Sequence, residues 1–186
     1  LERRGIRTVI ANPKWVKAVK GNKDDTKDSK WIGDLFRIGL VKSSFIPCKD
    51  IRILREFTRY RYKLTSMRSS EKNRFQNAFT VCNVALDSVV SDMFGKSATA
   101  ITDYLTSDEP FDAQHCVSLL QRSLRKKADA VVDSIEGYSI TDEQKARIAI
   151  IRKHHYFINS LIAEMDSCID GMVVKYESAI TLLCTI

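Results

Sequence analysis

TDEQKARIAIIRKHHYFINSLIAEMDSCIDGMVVKYESAITLL, residues 141–183, carries the strongest periodic pattern in the chain. Ile148, Ile151, His155, Ile158, Ile162, Met165, Ile169, Met172, Tyr176, Ala179 and Leu183 recur three and four residues apart. That alternation lays one apolar stripe along an α-helix, and its persistence over several heptads asks for a helical partner. Thr141, followed three residues later by Gln144, resembles a capping box and marks the helix start.

A second long helix is predicted upstream. No Gly or Pro occurs from Lys49 to Leu86, and Ile53, Phe57, Tyr60, Leu64 and Met67 step by four and three residues. This is a heptad seam that drifts beyond Glu71 and Arg74 to Phe75, Phe79 and Cys82. The outward faces carry Arg52, Arg55, Arg59, Arg61, Lys63, Arg68, Lys72 and Arg74. Between the two helices, Gly95 and Ser107-Asp108-Glu109-Pro110 break the chain into shorter helices. Ser118 to Ile135 reads as one of them, with a basic knot at Arg122, Arg125, Lys126 and Lys127 and with Gly137 closing it. Two long helices around a helical insertion predict an antiparallel pair, and a dimer through either helix fits the pattern equally.

The N-terminal part reads differently. Ile6-Arg7-Thr8-Val9-Ile10-Ala11 predicts a short buried strand, ended by Asn12-Pro13. Gly21-Asn22 is a turn signal. Trp31, Ile32, Leu35, Phe36 and Leu40 then recur at helical spacing, with Asp24 and Asp25 at the helix start, Gly39 near its end and Pro47 beyond.

With only 7 Gly and 3 Pro in 186 residues, a many-turned β-sandwich or barrel is excluded in favour of long helices. No run of eighteen apolar residues exists, so no membrane span or membrane partner is expected. Leu1-Glu2-Arg3-Arg4 does not read as a secretory signal. The opening on Leu and the apolar close on Leu182-Leu183-Cys184-Thr185-Ile186 are expected of a segment cut from something longer. Cys48, Cys82, Cys116, Cys168 and Cys184 form no C-x-x-C pair, which suits a reducing cytosol rather than a zinc ribbon or redox site. Charge is uneven: residues 1–74 hold twenty Lys/Arg against eight Asp/Glu, a net +12, whereas residues 75–186 carry a net −5. Such asymmetry is the footprint of a polyanion-binding half, although a basic run also serves as a solvated helix face.

Few residues have the pattern of chemistry. Asp25 and Asp28 stand three apart, so at a helix start their carboxylates share a face. Two carboxylates there suit Mg²⁺, a hard ion that keeps water or phosphate among its ligands. Two such ions flanking a phosphate drive in-line phosphodiester attack. The plainer use of these acids is to complement the helix dipole, and Asp24 is a competing ligand with poorer facing. His154 and His155 are adjacent and do not face each other, so His155 reads as a polar core or register-setting residue rather than a metal ligand. Trp15, Trp31 and Tyr60 have the rings to stack on bases, but apolar packing is the commoner use. There is no Gly-rich phosphate loop and no G-x-S-x-G.

Asn12-Pro13-Lys14-Trp15-Val16-Lys17, Gly21 and Lys23-Asp24-Asp25-Thr26-Lys27-Asp28-Ser29-Lys30-Trp31-Ile32-Gly33-Asp34-Leu35 together form an ordered pattern. It continues through Phe45-Ile46-Pro47, Ile51-Arg52, Leu54-Arg55, Thr58-Arg59-Tyr60-Arg61, Arg68, Glu71-Lys72-Asn73-Arg74 and Gln76. This pattern resembles DEDD transposases of the insertion sequence 110 type. Leu182 to Ile186 looks like the lead-in to that family's P-G-I-G segment, so the resemblance spans nearly the whole chain. Ser29 and Gly33 stand where the family often has Ala, mild departures that leave the acids untouched.

The resemblance implies a mainly α fold: the tail of an α/β RuvC-like (RNase H-like) domain with one short strand, followed by long coiled-coil helices. The implied divisions are 1–47 for the end of the RuvC-like domain, 48–90 for a basic long helix, 91–140 for a short-helix insertion, and 141–186 for a second coiled-coil helix leading into a C-terminal serine-bearing domain. It also implies DNA transposition by a recombinase, with Mg²⁺ as the ion and Asp25 and Asp28 as the last two acids of the DEDD set. The first Asp and the Glu would lie upstream of Leu1, and the serine downstream of Ile186. DNA, a structured guide RNA and a second copy of the chain are the implied partners, at the nucleoid in the cytoplasm of a bacterium or archaeon. Lys14, Lys17, Lys23, Arg52, Arg55, Arg59, Arg61, Arg68, Lys72 and Arg74 are the expected nucleic-acid contacts. Beside this stands the reading of a non-catalytic module that grips nucleic acid and dimerises. Blander still is a structural coiled coil with no nucleic acid, which salt-sensitive binding would exclude.

Overall fold

The computed structural model describes residues 4–6, 8–16 and 24–185. They are mainly helical, and they divide into two compact units, Leu1–Ile53 and Leu54–Ile186.

In the first unit, α1 (Pro13–Val16) is a single turn and α2 (Asp25–Arg37) is the main element. Asp24 caps α2: its carboxylate accepts from the Thr26 N–H at 3.0 Å, while Asp25 and Asp28 lie in the first turn near the positive end of the dipole. At the other end Gly39 takes φ +76°. The Leu40 N–H then reaches the Leu35 carbonyl at 2.9 Å and the Gly39 N–H the Phe36 carbonyl at 3.1 Å, a Schellman closure that a left-handed residue makes possible.

The strand expected over Ile6–Ala11 does not form among the described residues. Ala11 makes one isolated antiparallel bridge with Ser43, and the Ser44 N–H donates to the Ile10 carbonyl at 2.7 Å. A strand needs a ladder, and here Pro13 turns the chain into α1 right after the bridge, with Asn12 Oδ1 accepting from the Lys14 N–H. No described residue of this unit is buried: Trp31, Ile32, Phe36, Ile38 and Leu40 are exposed, and Phe45 is 90% exposed. The turn expected at Gly21-Asn22 lies outside the described residues.

The second unit is built on two helices of equal length, α3 (Lys49–Thr80, whose first turn belongs to the first unit) and α7 (Asp142–Val173). They run antiparallel. Arg61 meets Asp166, Arg68 meets Asn159, Glu71 meets His154, and Phe75 lies under Arg152, so one number rises as the other falls. Leu64, Ile158 and Ile162 form a small apolar cluster between them. The larger core lies towards the other end of the pair, where α4 (Lys96–Leu105), α5 (Ala113–Ser118) and α6 (Ala128–Asp133) fold over it. Phe75, Phe79, Leu86, Ile101, Leu105, Leu120, Val131, Ile135 and Ile148 are fully buried there.

The buried faces differ in part from the expected seams. In α3 Leu64 is buried, but Tyr60 and Met67 are 54% and 48% exposed. The face that packs runs on through Glu71, Phe75, Ala78 and Phe79, because a straight helix of 3.6 residues per turn drifts away from a strict heptad. In α7 the stripe holds from Ile148 through Ile151, His155 and Ile158 to Ile162, and Met165, Ile169 and Met172 are half-buried. The helix does not continue to the chain end. After Gly171 and the β-branched pair Val173-Val174, a 3₁₀ turn (Val174–Tyr176) leads into α8 (Glu177–Leu183). Tyr176 is half-buried, and Ala179 and Leu183, the last seam positions, are exposed.

Thr141 and Gln144 do form the reciprocal capping box, at 2.8 and 3.4 Å. The single helix expected over Ser118–Ile135 is instead a 3₁₀ stretch (Arg122–Lys127) followed by α6. The chain breaks after α5 so that Leu120 can point fully into the core, with the Gln121 N–H satisfied by Ser97 Oγ at 2.9 Å.

Candidate catalytic acids and nucleic-acid interface

Asp25 and Asp28 occupy the first turn of α2, with Asp25 exposed and Asp28 half-buried. The third nearby acid, Asp24, engages one carboxylate oxygen in the cap. No group of three or more His, Cys, Asp or Glu side chains positioned to hold a metal occurs among the described residues. The pair is therefore a partial donor set. Its chemistry, two hard carboxylate oxygens on an exposed helix start, matches an ion that takes one or two carboxylates and completes its shell with water and phosphate oxygens.

The basic positions separate into two sets. Arg61 is held by Asp166 on α7 in a two-point pair, with Nε donating to Oδ1 and Nη2 to Oδ2 at 3.1 Å. The hydrogen bond and charge of Asp166 raise the Arg61 pKa, and the Arg61 hydrogen bond lowers that of Asp166. Arg68 Nη1 reaches Asn159 Oδ1 at 3.4 Å. Lys72 donates to Asp92 at 3.1 Å and sits over the Phe94 ring. Burial opposes the charged form of Asp92, but the Phe94 N–H and then Lys72 outweigh it and hold its carboxyl below the usual range. Arg74 donates to Glu71. These four side chains have partners within the fold, although Arg74 is exposed.

Arg52, Arg55 and Arg59 are different: all three are exposed and none pairs with an acid among the described residues. Lys63 joins them, also exposed and unpaired. Arg55, Arg59 and Lys63 are four residues apart in turn, so they form one stripe on α3. Lys14 is exposed on α1. Lys17 and Lys23 lie outside the described residues.

Of two buried polar groups, one was invisible to pattern and the other was expected. Glu71 is only 3% exposed, yet it sits in the middle of the basic helix, where its carboxylate meets Arg74 and lies 3.2 Å from His154 Nδ1. The only hint was the interruption of the apolar seam by an acid. His155 is buried as expected for a seam histidine and stacks on Phe94 with ring centroids 3.8 Å apart. Burial lowers its pKa first, followed by the charges of Lys72 and Arg68, against the opposing pull of Asp92 and Glu71.

Residues 1–83 match the family model of DEDD transposases of the insertion sequence 110 type, described as a transposase. No curated protein and no solved structure matches the chain. The matched segment takes in α1, α2 and all of α3, and stops at Asn83, the left-handed residue that closes α3. The similarity noted over Leu182–Ile186 lies outside it. The match supports DNA transposition at the level of the family, with DNA as the partner that activity requires. Among the described residues no helix is long and apolar enough to cross a membrane. What the chain shares with the DEDD transposases of the insertion sequence 110 type is thus a similarity over residues 1–83.

Proposed function

We propose that the chain serves DNA strand cleavage and joining in transposition, with α2 contributing acids to the reacting centre and α3 contributing the grip on nucleic acid. The observation that carries this reading is the family match over residues 1–83, within which Asp25 and Asp28 share the first turn of α2. Asp25 and Asp28 would hold Mg²⁺, which when bound supplies charge neutralisation at a phosphodiester. The chain's own part is positional. Asp24 fixes the start of α2, where Asp25 is exposed and Asp28 half-buried beside it. Lys14, Lys17 and Lys23 precede that start in the sequence and add to the positive charge of this part of the chain. Arg55 and Arg59, with Arg52 one turn before and Lys63 one turn after, neutralise phosphates along the exposed side of α3.

A structured guide RNA is a second polyanion that suits the same stripe, since phosphate contacts do not distinguish the two backbones. Self-association through the long helices belongs to the same proposal, as does action in the cytoplasm at the nucleoid. The reading of a binding and dimerising module without catalysis is favoured by one observation: the unpaired stripe of Arg55, Arg59 and Lys63 belongs to the second unit, whereas the acids of α2 belong to the first.

The test is excision and joining of the element's ends by the protein expressed from its own gene. Asp25→Asn or Asp28→Asn is expected to abolish joining and to leave DNA binding intact. Full joining by either variant would overturn the catalytic role of that acid. Loss of joining in Arg55→Glu/Arg59→Glu alone, with both acids dispensable, would establish the binding-module reading instead.

A further inference from the structure

One turn of α3 and the loop before α4 enclose a cleft of about 310 Å³ lined by Lys72, Asn73, Gln76, Ser91, Asp92 and Phe94. Its charges cancel, because Lys72 is already paired with Asp92 at 3.1 Å. What remains unengaged is neutral. The side chains of Asn73, Gln76 and Ser91 make no hydrogen bond with any described residue, which leaves two amides and a hydroxyl to face a ligand. Phe94 is fixed in place at the side of the cleft by its stack on His155 and its contact with Phe75, with ring centroids 4.7 Å apart. A site with donors, acceptors and an aromatic wall but no net charge selects against phosphate. It suits a flat, neutral, hydrogen-bonding group.

The position of the cleft says which flat group. Arg55 and Asn73 are eighteen residues apart on one unbroken helix, five whole turns, so they project from the same face. The distance between them along the axis is about 27 Å. Arg59, Tyr62 and Ser66 lie on that face between them, all exposed. A nucleic-acid strand laid on the basic stripe therefore runs toward the cleft. We propose that the cleft takes an unpaired nucleobase of that strand, with Asn73 and Gln76 bonding its edge. This inference rests on α3 being a nucleic-acid surface.

The experiment uses the full chain and a short single-stranded DNA, compared with a strand of the same length built from abasic units. The base-bearing strand is expected to bind about tenfold more tightly than the abasic strand, in keeping with hydrogen bonding and stacking at one base. Asn73→Ala/Gln76→Ala is expected to erase that ratio while leaving the affinity for the abasic strand and the helicity of the protein unchanged. Equal binding of the two strands by the wild type, or a ratio that survives in the double variant, would overturn the cleft. Arg55→Glu/Arg59→Glu separates the two levels. Loss of both strands upholds the stripe, whereas undiminished binding of both would overturn the nucleic-acid surface and the cleft with it.

Discussion

His155 shows what a single buried polar residue does to this fold. Its ring is enclosed between α3, α7 and the loop carrying Phe94, and its Nε2 has no hydrogen-bond partner among the described residues. Charging it there would place a cation near Lys72 and Arg68, with only partial relief from Asp92 and Glu71. The native state therefore prefers the neutral ring, and the folded pKa lies below the ordinary 6.5. Linkage gives the sign: below that ordinary value the unfolded chain binds the proton more readily, so stability falls as pH drops from 6.5 through the folded pKa. His155→Phe keeps the stack and removes the titration. We expect its stability at pH 7.5 to stay within about 1 kcal/mol of wild type, because an unsatisfied polar atom is replaced by apolar surface. We also expect the loss between pH 7 and pH 5 to shrink in the variant. Urea denaturation at the two pH values checks both, and an unchanged acid-side loss would remove His155 as its source.

Arg61 and Glu71 make the same point for charge. Arg61 reads from sequence as part of a solvated basic face and Glu71 as an acid that interrupts the apolar seam, yet both are engaged between the two helices by partners eighty or more positions away or one turn away. Arg61→Glu would set two acids against each other at Asp166. It is expected to lower the thermal midpoint, since a two-point charge-assisted pair becomes a repulsion at a half-exposed site. Arg59→Glu, with no partner to lose, is expected to leave the thermal midpoint where it is. Comparison of the two melting curves decides whether these neighbours belong to different classes.

At the scale of elements, α3 and α7 depend on each other unequally along their length. Where the short helices cover the pair, a large core holds it, but beyond Glu71 the buried apolar contact reduces to Leu64, Ile158 and Ile162. Leu64→Ala is expected to cost about 2–4 kcal/mol, the usual range for a buried Leu losing its side chain. Hydrogen exchange should locate the loosening in the Arg61–Asp166 end of the pair. Uniform loosening through α4 to α6 would mean that the two clusters unfold as one.

The end of α3 is equally specific. Asn83 takes φ +60°, the Val84 N–H reaches back to the Phe79 carbonyl at 3.0 Å, and Asn83 Nδ2 donates to the Gly137 carbonyl at 3.2 Å. The absence of Gly and Pro extended the expected helix to Leu86, past this stop. Asn is the residue besides Gly that tolerates the left-handed region, and that signal was present but faint. Local features of this kind were legible where chemistry is local: the capping box at Thr141, the Asp24 start and Gly39 stop of α2, and the apolar face of α7 as far as Ile162. What was not legible depends on partners distant in sequence. The strand over Ile6–Ala11 lacked a ladder, Tyr60 and Met67 fell to the margin of the packed face, and half of the basic helix turned out to be paired.

For the whole molecule, the division of charge has a sharper meaning once those pairs are known. A net +12 over residues 1–74 suggests a broad cationic surface. On α3 two acids from the later part of the chain offset some of it: Asp166 holds Arg61 and Asp92 holds Lys72, while Glu71, already counted in the +12, holds Arg74. The net −5 of residues 75–186 is thus partly an internal counter-charge, and on α3 the stripe of Arg55, Arg59 and Lys63, with Arg52 before it, is open to an outside polyanion. The salt dependence of binding reads this directly, because each phosphate neutralised releases counterions. On duplex DNA each such contact contributes about 0.9 to the slope of log affinity against log salt. Arg55→Gln, Arg59→Gln and Lys63→Gln are each expected to lower that slope by about one contact, whereas Arg61→Gln and Arg74→Gln are expected to leave it unchanged. Fluorescence titrations over a range of salt concentrations give the five slopes. If the paired residues moved the slope as much as the unpaired ones, the ion pairs would have to open on binding, and the stripe would not be the interface.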